Sequence, residues 1–281
     1  MIQMTFSESL RNYRYELLLA IILVTGIYGT IISGMATDWY RDDNYSHGFL
    51  VPLIAAYFLR ERWNDLKSAR VSSSNIGLVV IICALLQLII ATFGNEYFTA
   101  RTSMVVLIAG MVLYFFGTEV FRITRMPVLY LLFMVPLPYI IYNALALPLK
   151  MFVSWISVVF LKGIGLSVVR EGNIIMFPSI TLEVADACSG MRSLISILAL
   201  GTAYAFFLPI SHMKRWVLIL SAIVLAIVTN ALRVIITGIL ANYQGAAVAR
   251  GFFHEFAGMA VFALAMAMMA VFGLLLRGKT S

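Results

Sequence analysis

Cys188 is the side chain of this sequence best suited to covalent chemistry, because it stands where an amphipathic segment meets a long apolar stretch. A helix is predicted to begin at about Ser189 or Gly190, and the unpaired N–H groups of a helix N-terminus favour a thiolate. Arg192 lies one turn further on the same face and adds positive charge there. The alternative is that Cys188 is a small packing residue with no chemical role.

Arg233 is the second candidate, because it interrupts an apolar stretch from Ile223 to Leu240. A charge at that depth costs roughly 2.5–3.5 kcal/mol, so the guanidinium should face the protein interior and have a partner there. Asn230 lies one turn earlier on the same face and can orient the guanidinium. Alternatively, Arg233 extends to the lipid headgroups or pairs with Glu183 or Asp186.

Two histidines lie at the same predicted membrane surface as Cys188. His254 opens the last apolar stretch, and an imidazole can accept the thiol proton and later return it to a leaving amine. His47, at the outer edge of the second apolar stretch, is a candidate second-shell or substrate-contacting group. Taken alone, either histidine is better explained as a hydrogen-bonded interface residue with no special role.

Other kinds of site find little support in the sequence. Cys83 is separated from Cys188 by roughly 10–15 Å of bilayer, whereas a disulfide requires Cα atoms within about 7 Å. The three histidines form no H-E-x-x-H pattern, and no phosphate-binding or dinucleotide-binding glycine motif is present, so we expect neither a metal nor a cofactor.

Composition predicts that these residues belong to a multi-pass membrane protein. Hydrophobic residues make up 62% of the 281 and charged residues 12%, against roughly 25% charged in soluble domains. The formal charge of +7 does not indicate nucleic-acid binding, because the basic residues lie between apolar stretches and form no stripe. We expect a single integral membrane domain over residues 1–281.

The expected fold is all-α and polytopic, with about eight transmembrane helices. The predicted spans are 17–35, 47–60, 76–93, 102–117, 126–147, 190–209, 215–241 and 254–276. The second is short and either tilted or re-entrant, and the fifth should be kinked or broken by Pro136 and Pro138. A cytoplasmic N-terminal segment, about 1–16, and a cytoplasmic C-terminus place most Lys and Arg residues on the inner side.

That orientation makes 148–189 the large extracytoplasmic segment. Its first half, 149–166, is expected to lie in the interface as an amphipathic helix or to form a further partial span. In its second half, β-branched runs flank Glu171-Gly172-Asn173, which predicts a small β-hairpin leading into Cys188.

Three elements of the sequence together resemble the exosortase/archaeosortase family of membrane transpeptidases. These are the block Ala187-Cys-Ser-Gly-Met-Arg-Ser-Leu194, Asn230-x-x-Arg233, and His254. Ser46-His-Gly48 and Pro136-Leu-Pro138 are supporting matches. The resemblance extends over about residues 45–275, and the Cys-Ser-Gly-x-Arg block is its most specific part.

The resemblance implies a cysteine peptidase or transpeptidase of the bacterial inner membrane, with its active site at the periplasmic face. Family substrates carry a C-terminal sorting signal, which comprises a short Pro-Glu-Pro-type motif (PEP-CTERM), a transmembrane helix and a basic tail. Such systems accompany exopolysaccharide and biofilm production. The catalytic set of the family corresponds here to Cys188, Arg233 and His254.

Residue chemistry and resemblance lead to one expected mechanism. The Cys188 thiolate attacks a carbonyl to form a thioester, Arg233 stabilises the oxyanion, and His254 carries the proton. Water or an amine on a lipid- or glycan-linked acceptor then releases the acyl group. We expect Arg192 to tune the thiolate and Glu183 to orient one of the cations.

Two other classes of function remain open on the sequence alone. A polytopic transporter would use Arg233 to bind an anion and would not need Cys188. A polysaccharide-export assembly factor without peptidase activity would tolerate loss of any one of the three residues.

Overall fold

The computed structural model describes residues 5–184, 190–245 and 252–278, and for residues 252–255 it describes the backbone alone. The chain divides into two compact units, Met1–Pro138 and Tyr139–Ser281. Within the described residues, six helices are long and apolar enough to cross a membrane. This finding confirms the predicted all-α, multi-pass membrane class.

The first unit is a set of helices in chain order. They are α1 Phe6–Asn12, α2 Arg14–Arg41, a 3₁₀ helix Asp43–Phe49, α3 Leu50–Glu61, α4 Trp63–Ser68, α5 Asn75–Phe93, α6 Tyr97–Tyr130 and a second 3₁₀ helix Leu131–Met134. The predicted second span corresponds to the first 3₁₀ helix and α3. Because α3 has 12 residues, it is about 18 Å long and shorter than the roughly 30 Å hydrocarbon core.

Helix α6 bends at Gly117, where φ is 85° and ψ is −173°. Residues with a Cβ rarely adopt this backbone conformation. A Cβ at this position would also overlap the carbonyl oxygen of Ser72. The bend falls at the predicted end of the fourth span, but the helix resumes beyond it.

The predicted fifth span, 126–147, does not form one helix. It is divided among the end of α6, the second 3₁₀ helix, a non-helical stretch at 135–138 and the start of the next helix. Pro136 and Pro138 cannot donate backbone hydrogen bonds, so a continuous helix would lose two of its bonds here. The break was expected at these prolines, but the helical segments on either side have different bounds.

An ion pair that the sequence analysis did not identify joins two helices of the first unit. Arg101 in α6 is 9% exposed, and its Nη2 lies 2.6 Å from the Asp38 carboxylate in α2. A buried guanidinium in a membrane helix is stable only with such a partner. The pair therefore links α2 to α6.

In its described residues, the second unit contains four helices and a small sheet. They are α7 Tyr139–Gly163, β1 Val169–Glu171, β2 Ile174–Met176, β3 Thr181–Glu183, α8 Met191–Phe207, α9 His212–Gln244 and α10 Phe252–Arg277. Residues 149–163 belong to the continuous helix α7, which is itself long and apolar enough to span. Of the two alternatives expected for 149–166, the continuous helix favours a span over a separate interfacial helix.

The predicted hairpin is present, and the structure adds a third strand to it. Strands β1 and β2 pair in antiparallel fashion, with Glu171 opposite Ile174. Gly172 in the turn has a φ of 61°. Strand β3 pairs with the other side of β2, so the order is β1-β2-β3.

The two largest apolar clusters in the described part of the second unit lie around the sheet and among the last three helices. One packs the sheet against α7 and α9 through Val153, Val158, Leu161, Val168, Ile175, Phe177, Val184, Ala231, Val234 and Ile235. The other joins α8, α9 and α10 through Ile197, Ala205, Leu218, Ile219, Ala222, Ala226, Ala265 and Met269. Small residues let the second group of helices approach closely: a Cβ on Gly201 would lie 2.7 Å from the Met269 sulfur and 3.2 Å from the Ala222 side chain.

Candidate active site

The start of α8 contacts the middle of α9 next to the position of the candidate nucleophile. Cys188 itself lies outside the described residues, and Gly190, two residues later, is the N-cap of α8. Gly190 has a φ of 82°, and a Cβ on it would lie 2.8 Å from Nδ2 of Asn230. The α8 N-terminus therefore packs directly on the Asn230 amide.

Arg233 lies one turn beyond Asn230 on α9 and is buried. Its exposed fraction is 8%, and that of Asn230 is 2%. The guanidinium packs against α10 at Gly258, where an added Cβ would lie 3.2 Å from Nη2 and 3.4 Å from Cζ. The prediction that Arg233 faces the protein interior is confirmed.

Helix α10 carries His254 four residues before Gly258. Positions four apart on a helix share a face and are about 6 Å apart along the axis. Position 254 is therefore one turn from the residue on which the Arg233 guanidinium rests. The His254 side chain lies outside the described atoms.

Asn230 and Arg233 connect the start of α8 with α10. The turn Asn230–Arg233 contacts Gly190 on one side and Gly258 on the other. Sequence analysis missed both glycines as site residues, although each has a recognisable position: one at the start of a helix, one a turn after a histidine. The catalytic roles of Cys188, Arg233 and His254 stay predictions.

Two expected supporting residues lie at the surface of the second unit. Arg192, in the first turn of α8, is exposed. Glu183 is exposed on β3, and Nδ2 of Asn173 donates a hydrogen bond to its carboxylate at 3.4 Å. Their roles as a thiolate-tuning cation and an orienting carboxylate stay predictions, and Asp186 lies outside the described residues.

His47 is buried in the first unit, where it binds the broken helix segment. Its Nε2 lies 3.2 Å from the Phe133 carbonyl oxygen. The indole of Trp39 donates to the Met134 carbonyl at 2.8 Å, and the Tyr45 hydroxyl donates to a carbonyl of the same segment at 3.5 Å. The backbone bond that a continuous helix would give the Met134 carbonyl is missing, because residue 138 is a proline. Trp39 and Tyr45 were not identified from the sequence, although the two prolines indicated that carbonyls here would need side-chain partners.

Burial dominates the protonation equilibrium of His47. Removal from water lowers the pKa of its imidazole below the ordinary value, and hydrogen bonds to the backbone of Phe133 and Asn44 oppose this shift with smaller effects. The neutral ring is therefore favoured in the folded first unit. The expected role of His47 as a second-shell or substrate-contacting residue stays a prediction.

Comparison with known proteins identifies the family of this chain. The family model for the transmembrane exosortase (Exosortase_EpsH) matches residues 39–271, which is most of the chain and includes Cys188, Arg233 and His254. No curated protein and no solved structure matches the chain. The match confirms the resemblance drawn from the cysteine block and the N-x-x-R pair: the chain belongs to the transmembrane exosortase family.

Proposed function

We propose that this chain is a membrane-embedded cysteine transpeptidase or protease that uses Cys188, Arg233 and His254. Membership of the exosortase family supports a membrane transpeptidase in protein sorting. The observation that carries the residue assignment is the packing of the Asn230–Arg233 turn between Gly190 and Gly258. Gly190, two residues after the proposed nucleophile in the sequence, contacts Asn230, and Gly258, four residues after the proposed proton carrier, contacts the Arg233 guanidinium.

In the proposed reaction, the Cys188 thiolate attacks the scissile carbonyl carbon of a substrate peptide bond. A carbon–sulfur bond forms, the carbon–nitrogen bond breaks, and His254 passes the thiol proton to the leaving amine. Arg233 donates hydrogen bonds to the oxyanion. Water or an amine then attacks the thioester and restores the thiol, with an amine giving transpeptidation and water giving hydrolysis.

Burial makes Arg233 suited to the oxyanion role. A fixed donor in a water-poor site contributes about 10²–10³ in kcat in well-studied acyl-transfer enzymes. Asn230, which is buried on the same face of α9, would fix the direction of the guanidinium. Arg192, at the start of α8, would add positive charge near the thiolate.

The charge distribution of α8, α9 and α10 supports an active site on the periplasmic face of the inner membrane. At the ends of these helices away from Arg233, Lys214 donates to the Leu276 carbonyl at 2.8 Å and Arg215 to the Ala205 carbonyl at 2.9 Å. Basic residues accumulate on the cytoplasmic side of membrane proteins. We therefore assign the Lys214 end to the cytoplasm and the Arg233 end to the periplasm.

The proposed substrates are exported proteins with a C-terminal sorting signal of the PEP-CTERM type, which is the substrate class that the family resemblance implies. Their transmembrane helix would hold the scissile bond at the depth of Cys188. The acceptor amine would belong to a lipid or a glycan.

A reporter-processing assay in cells tests the proposal. The protein is co-expressed with secreted reporters that end in different PEP-CTERM-type signals, and reporter size is followed at equal membrane abundance of each variant. We expect wild type to shorten a reporter and Cys188→Ala to leave it intact, while Arg233→Ala and His254→Ala slow processing by about 100-fold or more. Cys83→Ala serves as the matched control, since Cys83 is an exposed thiol on α5.

The alternative functions give different outcomes. Processing that survives Cys188→Ala contradicts the nucleophile assignment. A phenotype that depends on Arg233 and ignores Cys188 indicates a transporter, and tolerance of all three alanine variants indicates an assembly factor without peptidase activity.

A further inference from the structure

The sheet of the second unit has an edge strand that precedes the candidate nucleophile by a few residues in the sequence. In the order β1-β2-β3, strand β3 is an edge strand, and it ends at Glu183, five residues before Cys188. Five residues span at most about 17 Å. A short segment of chain therefore joins the end of β3 to the proposed nucleophile.

The hydrogen bonds of β3 determine which backbone groups point outward. The Val184 N–H donates to the Asn173 carbonyl at 2.9 Å, and the Ile180 carbonyl accepts from the Phe177 N–H at 2.8 Å. Because antiparallel pairing alternates, Ile180, Leu182 and Val184 turn their N–H and C=O groups toward β2, and Thr181 and Glu183 turn theirs away. Within the described part of the chain, no residue hydrogen-bonds to these two outward N–H groups.

Packing holds the outward edge at a fixed place relative to Arg233. Val184 is 3% exposed and belongs to the cluster that contains Ala231 and Val234 of α9. In the sequence, Ala231 lies two residues before Arg233 and Val234 directly after it. Ile180 and Leu182 pack against the same cluster. The side chains of Thr181 and Glu183 are exposed, so nothing in the described chain covers the edge from that face.

We infer that the outer edge of β3 binds the extended segment of the substrate polypeptide that flanks the scissile bond, as an added strand. This inference rests on the proposed function. Outward N–H and C=O groups of an edge strand are complementary to an extended peptide backbone and to little else. Two such residues, about 6.7 Å apart, pair with two alternate residues of the substrate.

This mode of binding presents the scissile bond in a defined orientation. A strand added to β3 lies about 4.8 Å from it and extends the plane of the sheet. The substrate is recognised there by its extended backbone, and its side chains alternate between the two faces of the sheet.

Proline substitutions test the inference, because proline deletes one N–H group. Thr181→Pro removes an outward donor and spares every hydrogen bond between β3 and β2, a position at which edge strands tolerate proline. Thr181→Ala keeps the N–H and measures how much the loss of the threonine side chain alone changes the processing rate. Arg170→Pro is the matched control, since the Arg170 N–H points outward on the opposite edge, as the pairing of its neighbours with β2 requires.

The proline variants are assayed with a reporter that wild type shortens and Cys188→Ala does not. We expect Thr181→Pro to process it about three- to tenfold more slowly than Thr181→Ala, the effect of one lost hydrogen bond, and Arg170→Pro to match wild type. Equal rates for Thr181→Pro and Thr181→Ala overturn the inference while leaving the proposed function intact. If no reporter is shortened, or if Cys188→Ala still shortens them all, the proposed function fails and the inference with it.

Cysteine cross-linking supplies a readout that a structural defect would not imitate. Thr181→Cys is made in a Cys83→Ser, Cys188→Ala background, and single cysteines are placed at successive positions of the reporter upstream of its transmembrane helix. Strand pairing predicts disulfide formation at every second position, because alternate side chains share a face. Cross-linking that is uniform, or absent at all positions, refutes the added strand.

Discussion

Gly258 determines how closely the Arg233 guanidinium approaches α10, and its replacement gives the sharpest test of the oxyanion role. A Cβ at this position would lie 3.2 Å from Nη2 and 3.4 Å from Cζ of Arg233. Ordinary contacts begin near 3.4 Å, so Gly258→Ala displaces the guanidinium by a few tenths of an ångström. A larger side chain, in Gly258→Leu, displaces it by the width of a methyl group or more.

The magnitude of the effect follows from the displacement. A misplacement of about 1 Å in an active site costs about 100-fold in rate, so a few tenths should cost about three- to tenfold. Gly258→Leu should approach the loss caused by Arg233→Ala. The alanine variant should unfold no more easily than wild type, because alanine favours a helix over glycine by about 1 kcal/mol.

The assay compares initial rates of reporter cleavage at equal membrane abundance, together with thermal unfolding of purified protein in detergent. Gly29→Ala is the matched control, since Gly29 lies within α2 and a Cβ there meets nothing within 4 Å. We expect both alanine variants to be as stable as wild type and Gly258→Ala alone to be slow. Equal cleavage rates for the two would show that the guanidinium does not act from the place where the structure puts it.

Three further predictions concern the stability of the protein. Gly190→Ala should lower the unfolding temperature, because a Cβ both strains a φ of 82°, at about 1–2 kcal/mol, and presses on Asn230. An unchanged melting curve refutes this. Trp39→Phe leaves the Met134 carbonyl without its hydrogen-bond donor and should lower the free energy of unfolding by about 1–3 kcal/mol, as measured by denaturant unfolding. An unchanged free energy of unfolding would mean that water replaces the indole. Because burial lowers the pKa of His47, the unfolded chain binds the proton more tightly than the folded protein. The contribution of His47 to stability is therefore complete above about pH 6.5 and declines as the pH falls toward the folded pKa. His47→Gln should abolish this decline, and a decline that persists in the variant would belong to another group.

Much of the membrane architecture follows from the sequence because hydropathy is a strong signal. The stretches around α2, α5, α9 and α10 are apolar over the length of a bilayer, so their existence and approximate bounds were predictable. The break at Pro136 and Pro138 was equally predictable, because proline removes backbone donors wherever it occurs.

The division of residues 126–163 was not predictable by the same means. An apolar helix continues through Pro127 in α6 and through Pro148 in α7, whereas Pro136 and Pro138 end one. At the break, the indole of Trp39, 95 residues away in the sequence, satisfies the Met134 carbonyl, and hydropathy carries no information about such a contact.

The candidate site shows the same contrast. The buried position of Arg233 followed from the cost of a charge in an apolar helix. Its contact with Gly258 did not, because it depends on the relative rotation of α9 and α10. Gly201 of α8 packs closely on both Ala222 of α9 and Met269 of α10, and one sequence does not reveal which small residues meet.

The close packing of α8, α9 and α10 also determines how freely this chain can be varied. A Cβ at Gly201 would already lie 2.7 Å from the Met269 sulfur, and Ala222 and Ala265 are fully buried. A mutational library should therefore retain only Gly at position 201 and only Gly, Ala or Ser at the other two positions. At Val224 and Val271, which are exposed on the outer faces of α9 and α10, any aliphatic or aromatic residue should survive selection. On the inner faces of the bundle, side-chain volume should therefore decide which substitutions are tolerated, and on the outer faces polarity alone should decide. Membrane-facing positions can thus be redesigned for a different detergent or lipid without altering the site.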